Sequence, residues 1–222
     1  MIVVHHLEKS RSHRIIWLLE ELELGYELQV HKRNKQTNLA PPELKKIHPL
    51  GKSPIVCIND LVLAESGAIM ETLLDQFAGG HRLRPAAGSK EMVPYRYWMH
   101  AAEGSLMPLL LLKLIFSKIL SDSPWFVKPI TRVISTKINE SYLDPGLSGL
   151  LDYMESTLGG GDWFAGSDFT AADIQMSYAV EALCSRQELV QAYPNLRKYF
   201  EKIKNRKAYQ AAIKKGGPSL PL

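Results

Sequence analysis

The first third of the chain alternates between the hydrophobic period of a strand and that of a helix. Residues 2–6 and 26–31 are rich in β-forming side chains and predict two strands. A short helical segment is predicted over 42–47, after a polar loop. Between the two strands an amphipathic helix ended by Gly25 is predicted, because glutamates lie opposite apolar residues that recur at helical spacing: Ile15, Leu18, Leu19 and Leu22.

A β-hairpin is predicted next. Two apolar runs, 55–58 and 61–64, are separated by the turn residues Asn59 and Asp60. Pro54 has no N–H to donate, so it belongs at the entry of its strand. A helix over 67–77, stopped by two glycines, completes the order β-α-β-α-β-β-α, which fits one small α/β domain.

The remainder of the chain predicts helices and no strand. Its fold class is therefore an α/β domain followed by an all-helical domain: residues 1–80, a linker over 81–90, and residues 91–222. Proline or glycine separates the predicted helices, which cover residues 90–120, 124–141, 145–158, 171–185 and 194–212.

A capping box is predicted at Thr170-Ala-Ala-Asp173. The threonine oxygen can accept the N3 amide while Asp173 reaches back to the amide of Thr170. This device stabilises a helix start, and no chemistry is assigned to it.

The composition is that of an ordinary globular protein, with 222 residues, 45% hydrophobic and 23% charged. Its two cysteines, Cys57 and Cys184, stand alone in apolar segments, so no zinc site, other metal site or disulfide framework is predicted. This cysteine usage, together with an N-terminal apolar run too short for a signal peptide, predicts a cytoplasmic protein.

The most apolar stretch of the chain is 106–120, which contains Pro108 and Lys113. It falls short of the roughly 20 residues that a membrane span needs. A buried helix, rather than an integral membrane segment, is therefore predicted there.

The net charge is +4, and the basic excess lies near the end of the chain. No nucleic-acid-binding motif accompanies it, so a solvated helix face is predicted rather than a nucleic-acid site. The basic residues are Arg197, Lys198, Lys202, Lys204, Arg206, Lys207, Lys214 and Lys215.

A carboxylate and a helix start adjoin at Glu65-Ser66. Ser66 is a good N-cap, and the free N–H groups of that helix start make an anion site. The Glu65 carboxylate beside it can accept from an ammonium, so the pair fits the amino-acid end of a ligand; a helix cap alone is the simpler alternative. A phosphate-binding loop is excluded at 51–53, because Lys46 stands where that motif needs glycine and Pro54 follows the serine.

Four motifs in this order resemble the cytosolic glutathione transferases of the serine type, bacterial and fungal members in particular, over nearly the whole chain. They are Ser10-x-x-x-Arg14 followed by Trp-Leu-Leu-Glu-Glu, His48-Pro-Leu-Gly-Lys-Ser-Pro54, Glu65-Ser66-x-Ala-Ile69 and Phe169-Thr-Ala-Ala-Asp173. The resemblance implies a thioredoxin-like domain that binds glutathione, a helical domain that contributes the electrophile pocket, and a homodimer.

The resemblance also assigns residues to glutathione. Pro54 aligns with the cis-proline of the family, so Ser53 would present its backbone N–H and C=O to the cysteinyl part. Glu65 and Ser66 would hold the ammonium and carboxylate of the γ-glutamyl part. Lys52 would pair with the glycyl carboxylate, as it does in some relatives.

The reaction of this family needs a thiolate, whereas a free thiol has a pKa of ~8.5. A hydroxyl that donates to sulfur at the start of the first helix stabilises the thiolate. Ser10 aligns with the serine of serine-type relatives and is favoured; Ser12, nearer the helix cap, is the alternative. The roles of Arg11 and His13 stay open. Two histidines of the first strand, which point to opposite faces, are assigned to packing or exposure: His5 and His6.

The predicted activity is glutathione transfer to hydrophobic electrophiles, together with reduction of organic hydroperoxides. The electrophile is expected between the first-domain turn and the helix near 90–120. Apolar candidates for its pocket, any of which could equally be core, are Tyr95, Trp98, Met99 and Met107.

Three alternatives share this fold. A glutathione-dependent isomerase or dehalogenase is one, although the cysteine-bearing Ser-Ser-Cys turn of the maleylacetoacetate isomerases is missing. A non-catalytic glutathione- or ligand-binding module is the second. The third is association with a membrane surface through the apolar stretch 106–120.

Overall fold

The computed structural model describes residues 1–186 and 190–219. A four-stranded sheet of order β2-β1-β3-β4 forms the first domain, with β1 parallel to β2 and antiparallel to β3. The predicted element order and thioredoxin-like class are confirmed. The elements are β1 (Ile2–Leu7), α1 (His13–Glu21), β2 (Glu27–His31), a 3-10 helix (Pro42–Lys46), β3 (Ile55–Ile58), β4 (Leu61–Ala64) and α2 (Ser66–Gln76).

The helical domain is confirmed as well. Its elements are α3 (Met92–Ala101), α4 (Met107–Asp122), α5 (Lys128–Ile138), α6 (Asp144–Gly160), α7 (Ala171–Cys184), α8 (Pro194–Lys204) and α9 (Lys207–Gly216). A π turn joins α3 to α4 and another joins α5 to α6, at Ala102–Leu106 and Asn139–Leu143.

Helix α1 is the centre of the molecule. It lies between the sheet and the helical domain, packing against α2, α7 and above all α9. Its residues Ile15 to Leu19 are therefore all fully buried, although the amphipathic pattern predicted one exposed side. Because every side of a buried helix must be satisfied, its polar residues near the N-terminus are available for a site rather than for solvent.

The predicted stop of α1 at Gly25 is wrong. The helix ends earlier, and Glu23 takes the left-handed conformation with φ +56°. The Glu23 N–H donates to the Glu20 carbonyl and the Leu24 N–H to the Leu19 carbonyl, which is the Schellman pattern that glycine usually completes.

Ser66 is not the N-cap of α2, contrary to prediction. Glu65 holds that position with φ +71° and ψ +122°, and Ser66 is the first helical residue. The shift puts a strained, exposed carboxylate at the junction of β4 and α2.

Two of the predicted helix boundaries are wrong. The predicted break between 124–141 and 145–158 does not occur, because the π turn Asn139–Leu143 carries the helix into α6. The predicted helix over 194–212 is instead divided into α8 and α9 at Asn205.

The predicted burial of the stretch 106–120 is also wrong. Leu110 is the one buried residue of α4, whereas Leu111, Leu114, Ile115 and Ile119 are 42–50% exposed. At the tip between α4 and α5, Trp125 and Phe126 are 84% and 65% exposed. The continuous helical run Met92–Asp122 is long and apolar enough to span a membrane by length and composition alone.

The capping box at the start of α7 is built around a buried carboxylate. Asp173 accepts the Thr170 N–H at 2.9 Å, as predicted, and also the Thr170 hydroxyl, the Phe164 N–H and the Tyr199 hydroxyl. Both halves of the predicted capping box are present, and the Thr170 hydroxyl also donates to Asp173. Burial raises the pKa of Asp173 to about 6, and these donors oppose that rise.

The basic cluster near the end of the chain is not simply a solvated face. Arg206 makes two hydrogen bonds of 2.7 Å with Glu21 of α1. Lys215 pairs with Glu20 at 2.6 Å, and Lys202 pairs with Asp162. Part of the basic cluster therefore forms ion pairs that link α8 and α9 to the rest of the protein.

Candidate functional site

The sheet register brings the predicted site residues to one end of the sheet. Ile55, the first residue of β3, pairs with both His5 of β1 and Ala64 of β4. The carboxyl ends of β1 and β4 therefore lie on either side of the amino end of β3. The turn containing Ser10, the Ser53–Pro54 bond and Glu65 follow or precede these strand ends directly.

The Ser53–Pro54 peptide bond is cis, which confirms the expectation drawn from the resemblance. The Ser53 hydroxyl donates to the His5 carbonyl at 3.2 Å, and the Leu7 N–H donates to the Ser53 oxygen at 3.2 Å. Within the described part of the chain, no group hydrogen-bonds the backbone N–H or C=O of Ser53. Both are free to bind an extended peptide.

Ser10 and Ser12 lie together, and they differ in access. Their hydroxyl oxygens are 2.7 Å apart, and the Ser12 N–H donates to the Ser10 oxygen at 3.3 Å. Ser12 is fully buried, while Ser10 is 6% exposed. Ser12 precedes α1 at its N-cap position without making a side-chain cap bond. Of the two serines, Ser10 is therefore the less buried.

His6 joins this cluster, although the sequence assigned it to packing or exposure. Its Nδ1 lies 2.8 Å from the Ser12 oxygen, and its Nε2 lies 2.8 Å from the carbonyl oxygen of Gly216 in α9. Burial lowers the pKa of the His6 imidazole, and the hydrogen bond to Gly216 partly opposes that shift. Ring and carbonyl are 210 residues apart in sequence, so no local signal reveals the contact.

Glu65 and the start of α2 form the other side of the site. The Glu65 side chain is exposed, and within the described residues no group hydrogen-bonds it. The first N–H groups of α2 are free at a helix N-terminus, which favours an anion. A non-glycine residue at φ +71° costs free energy, and such strain occurs chiefly at functional positions. Lys52 is exposed, two residues before Pro54.

A buried ion pair that the sequence did not predict lies behind the turn. The guanidinium of Arg14, 1% exposed, donates to Glu103 at 2.5 Å and to Gln175 at 3.4 Å. Arg11 donates to the same Glu103 oxygen at 3.0 Å. Burial lowers the pKa of Arg14, and Glu103 opposes that shift. Three elements are thereby tied together: α1, α7 and the π turn after α3.

The four electrophile-pocket candidates do not all line one cavity. Trp98 is fully buried in the core of the helical domain, between Tyr153 and Phe164. Tyr95 and Met99 line a cleft of about 1430 Å³ between α2 and α3. Ser10 does not line this cleft, whose only contribution from the predicted glutathione site is Glu65. Met107 is half-buried at the start of α4.

His13, whose role the sequence left open, lies in the interior. It is 2% exposed and packs edge-on against Tyr209 at 5.4 Å. Burial lowers the pKa of this imidazole to about 4, so it is neutral at pH 7.

Sequence comparisons match both parts of the chain. The family described as "Glutathione S-transferase, N-terminal domain" matches residues 1–74, and "Glutathione S-transferase, C-terminal domain" matches residues 127–215. Glutathione S-transferase 3 of Schizosaccharomyces pombe is 37% identical over 97% of this chain and 88% of its own length. Glutathione S-transferase 1 of Saccharomyces cerevisiae is 32% identical over 97% and 95%.

Solved structures of glutathione S-transferases are also similar to this chain. A glutathione S-transferase from Actinobacillus pleuropneumoniae is 36% identical, with a TM-score of 0.78 over 99% of this chain and 94% of that one. A sphingomonad glutathione S-transferase in complex with glutathione has a TM-score of 0.70 over 97% and 98% of the two chains. It is 20% identical, which shows the fold alone.

Proposed function

The chain belongs to the glutathione S-transferase family, and from this premise we propose which residues carry out its reaction. It is a glutathione transferase, an enzyme that activates the glutathione thiol for attack on an electrophile. We assign the contact with sulfur to Ser10, and the binding of the tripeptide to the strand ends around it.

The observation that carries this assignment is the position of the Ser10 hydroxyl. It is the less buried member of the Ser10–Ser12 pair, and it lies just before the N-terminus of α1. A hydroxyl hydrogen bond and the positive end of a helix both favour a thiolate over a thiol. Lowering a thiol pKa from ~8.5 to ~6.5 raises the thiolate fraction at pH 7 from a few per cent to the major form.

The tripeptide binds across the end of the sheet in this proposal. The cysteinyl backbone pairs with the free N–H and C=O of Ser53. The γ-glutamyl ammonium meets the Glu65 carboxylate, and its carboxylate meets Ser66 at the start of α2. Lys52 pairs with the glycyl carboxylate. This direction places the sulfur at Ser10 because the cis-proline loop lies between Glu65 and that turn.

The electrophile then has to approach from the side of the helical domain. Arg11 and Glu103 join the Ser10 turn to the π turn after α3, and α4 begins directly afterwards with Met107. We place hydrophobic electrophiles and organic hydroperoxides there, rather than against Trp98. Tyr95 and Met99 lie farther toward the glutamyl end.

We further propose a cytoplasmic homodimer, with the two domains divided at residues 81–90. The first domain of one subunit faces the helical domain of the other. Support comes from the open cleft between α2 and α3 and from the exposed apolar faces of α4 and α5. Sedimentation at twice the mass of one chain tests the dimer, and sedimentation at the mass of a single chain contradicts it.

Ser10→Ala tests the proposed mechanism. We expect the pKa of enzyme-bound thiol to rise toward ~8.5 and turnover of an aromatic halide to fall at least about tenfold at pH 7. Ser12→Ala is expected to do less. Glu65→Gln is the matched control for binding: it raises the KM for glutathione and leaves the thiol pKa in place. A larger effect from Ser12→Ala than from Ser10→Ala moves the catalytic role to Ser12.

A further inference from the structure

Groups from both ends of the chain form one continuous series of hydrogen bonds that reaches Ser10. The Ser10 and Ser12 oxygens are 2.7 Å apart, Ser12 Oγ is 2.8 Å from His6 Nδ1, and His6 Nε2 is 2.8 Å from the Gly216 oxygen. The three side chains are at most 6% exposed. Only Ser10 has a role in the mechanism above, so the other members of the series are unexplained.

The direction of every hydrogen bond follows from Gly216, because a carbonyl oxygen can only accept. His6 therefore carries a proton on Nε2. Burial lowers the pKa of His6, so the resting ring is neutral and its Nδ1 is a bare acceptor. Ser12 gives its single proton to Nδ1, which lies 2.8 Å from its oxygen, in preference to the Leu7 carbonyl at 3.3 Å. Its lone pairs then accept from the Leu7 N–H and from the Ser10 hydroxyl.

In this arrangement Ser10 directs its proton into the protein and presents a lone pair to the ligand. It can accept a thiol S–H, but it cannot donate to a thiolate without losing its bond to Ser12. We propose that glutathione is ionised by a concerted shift of protons along the Ser10–Ser12–His6 series, with His6 as the final acceptor. This inference depends on the assignment of Ser10 proposed above.

Each step of the shift conserves protons. The thiol S–H bond breaks as its proton forms an O–H bond on Ser10. The original Ser10 proton moves to Ser12, and the original Ser12 proton moves to Nδ1 of His6. Each hydroxyl gains one proton and loses one, so the only new charges are a thiolate and an imidazolium. The hydrogen bonds from the sulfur through Ser10 and Ser12 to Nδ1 reverse, while the bond from Nε2–H to the Gly216 carbonyl keeps its direction. Ser10 is thereby left as donor to the thiolate without a side-chain rotation.

The surroundings of His6 suit this role. Glu8, beyond the end of β1, favours the charged ring, whereas His31 on β2 disfavours it. His13 on α1 is neutral because burial lowers its pKa to about 4. From α9, the Gly216 carbonyl faces the ring and accepts from Nε2–H, which stabilises the imidazolium once it forms.

Gly216 can make this contact because it has no side chain. A Cβ at this position would lie 2.7 Å from Ile16 Cδ1 and 3.3 Å from the His6 ring. Gly216→Ala is therefore expected to move the carbonyl away from Nε2, so that the His6 ring is no longer held in the tautomer with its proton on Nε2. Ile16 and the end of α9 together hold the His6 ring in position.

Two substitutions separate the two hydrogen bonds of His6. In His6→Gln the side-chain amide reaches the Nε2 position and donates to Gly216, but Ser12 loses its acceptor. In His6→Asn the amide oxygen takes the Nδ1 position and accepts from Ser12, but no proton can be taken up. A role limited to orienting Ser12 requires a normal His6→Asn enzyme, and that result would overturn the proposal.

We expect both variants to raise the pKa of bound glutathione by about one unit or more, read from the ultraviolet absorbance of the thiolate. The kcat/KM falls about tenfold in mildly acidic buffer and recovers at alkaline pH, where the thiol ionises unaided. The KM for glutathione is unchanged. His5→Gln is the matched control, since His5 bonds to His31 and lies outside the series, and it keeps the thiol pKa of the parent enzyme.

Nitrogen NMR of the unsubstituted enzyme tests the proposal without a variant. Glutathione is expected to add a proton to Nδ1 of His6, whereas S-methylglutathione, which has no thiol proton, leaves the ring neutral. A neutral His6 beside ionised glutathione overturns the inference.

Failure of the relay is distinguishable from failure of the proposed function. If Ser10→Ala raises the thiol pKa while both His6 variants do not, Ser10 keeps its role and only the relay is refuted. If Ser10→Ala also leaves the thiol pKa unchanged, the assignment of Ser10 fails first.

Discussion

At the residue scale, burial gives the histidines of this protein different properties from those that their positions in the sequence predict. His6 and His13 are both buried beside the start of α1, yet His6 is hydrogen-bonded through both ring nitrogens. His13 instead packs against Tyr209, and within the described residues no partner meets its Nε2. Protonation of His13 is therefore disfavoured in the folded protein.

The first prediction concerns the stability of the protein in acid. Burial lowers the pKa of His13 from 6.5 to about 4. Between these values the unfolded chain binds a proton that the folded protein does not, so acidification favours unfolding. From pH 7 to pH 5, His13 alone removes about 2 kcal/mol from the free energy of unfolding.

His13→Phe retains a ring against Tyr209 and abolishes this titration. Urea unfolding at pH 7 and pH 5 should show that the variant loses about 2 kcal/mol less than the parent on acidification. Equal losses in the two proteins would mean that His13 is already accessible to protons in the folded state.

Local motifs made part of the site predictable. The cis bond at Pro54, the turn at Asn59 and the hydrogen bond from the Thr170 N–H to Asp173 each depend on a few neighbouring residues, and the structure has all three. His6 was not predictable in the same way. Its partner Gly216 is brought to it by the packing of α9 on α1, which no periodicity in β1 encodes.

At the scale of elements, helix ends show where propensity and tertiary structure compete. The sequence places a glycine two positions after Glu23, and the chain nevertheless turns left-handed at Glu23. The positions of Leu22 and Leu24 explain this, because both are packed against the core, and burying them sets where α1 must stop. Burying two leucines stabilises the protein by more than placing a glycine at the left-handed position would.

The second prediction follows from this end of α1. Glu23→Gly removes the cost of a left-handed non-glycine residue and should raise the free energy of unfolding by about 1 kcal/mol. Gly25→Ala is the matched control: Gly25 does not have a positive φ, and a Cβ there meets nothing within 4 Å. It should have no destabilising effect in urea unfolding. If Gly25→Ala destabilises the protein and Glu23→Gly does not stabilise it, Gly25 rather than Glu23 is the residue that ends α1.

Prolines in the helical domain show a second limit of sequence patterns. Pro108 and Pro145 each lie two residues after a π turn, Ala102–Leu106 and Asn139–Leu143. Proline has no N–H and clashes with the carbonyl four residues before it, and the wider π turn relieves both problems. The proline at 145 therefore led to a predicted break between 141 and 145, where the structure has a continuous helix.

At the scale of the whole molecule, the last helices hold the first domain in place. Glu21 of α1 is only 10% exposed, and it accepts two bonds from Arg206 and one from the Trp17 indole. The Arg206 guanidinium also lies 3.6 Å over the ring of Phe169. This arrangement needs a planar group that donates two parallel hydrogen bonds to one carboxylate, which lysine does not provide.

The third prediction compares two ion pairs between α1 and the last helices. Arg206→Lys leaves Glu21 incompletely bonded and should lower the free energy of unfolding by about 2 kcal/mol. Lys215→Ala removes the pair with Glu20, in which the lysine is 51% exposed, and should cost less than about 1 kcal/mol. Chemical denaturation of both variants measures the difference, and equal losses would mean that Arg206 acts as a mere surface charge.

The exposed face of α4 and α5 is also a property of the whole molecule. Apolar residues that the sequence places in a core are on the surface here, with Trp125 and Phe126 at the tip. Hydropathy identifies such residues correctly as apolar, but it does not say whether their own chain or another covers them. The fold class was therefore predictable, whereas the burial of this stretch was not.

The hydrogen bond between His6 and Gly216 spans 210 residues, which matters while the polypeptide is being made. On the ribosome, β1 emerges long before α9 exists, so the nascent thioredoxin-like domain has its serines but no carbonyl to set the imidazole tautomer. If the proposed relay operates, translation of α9 therefore supplies the group that fixes the proton on Nε2 of His6.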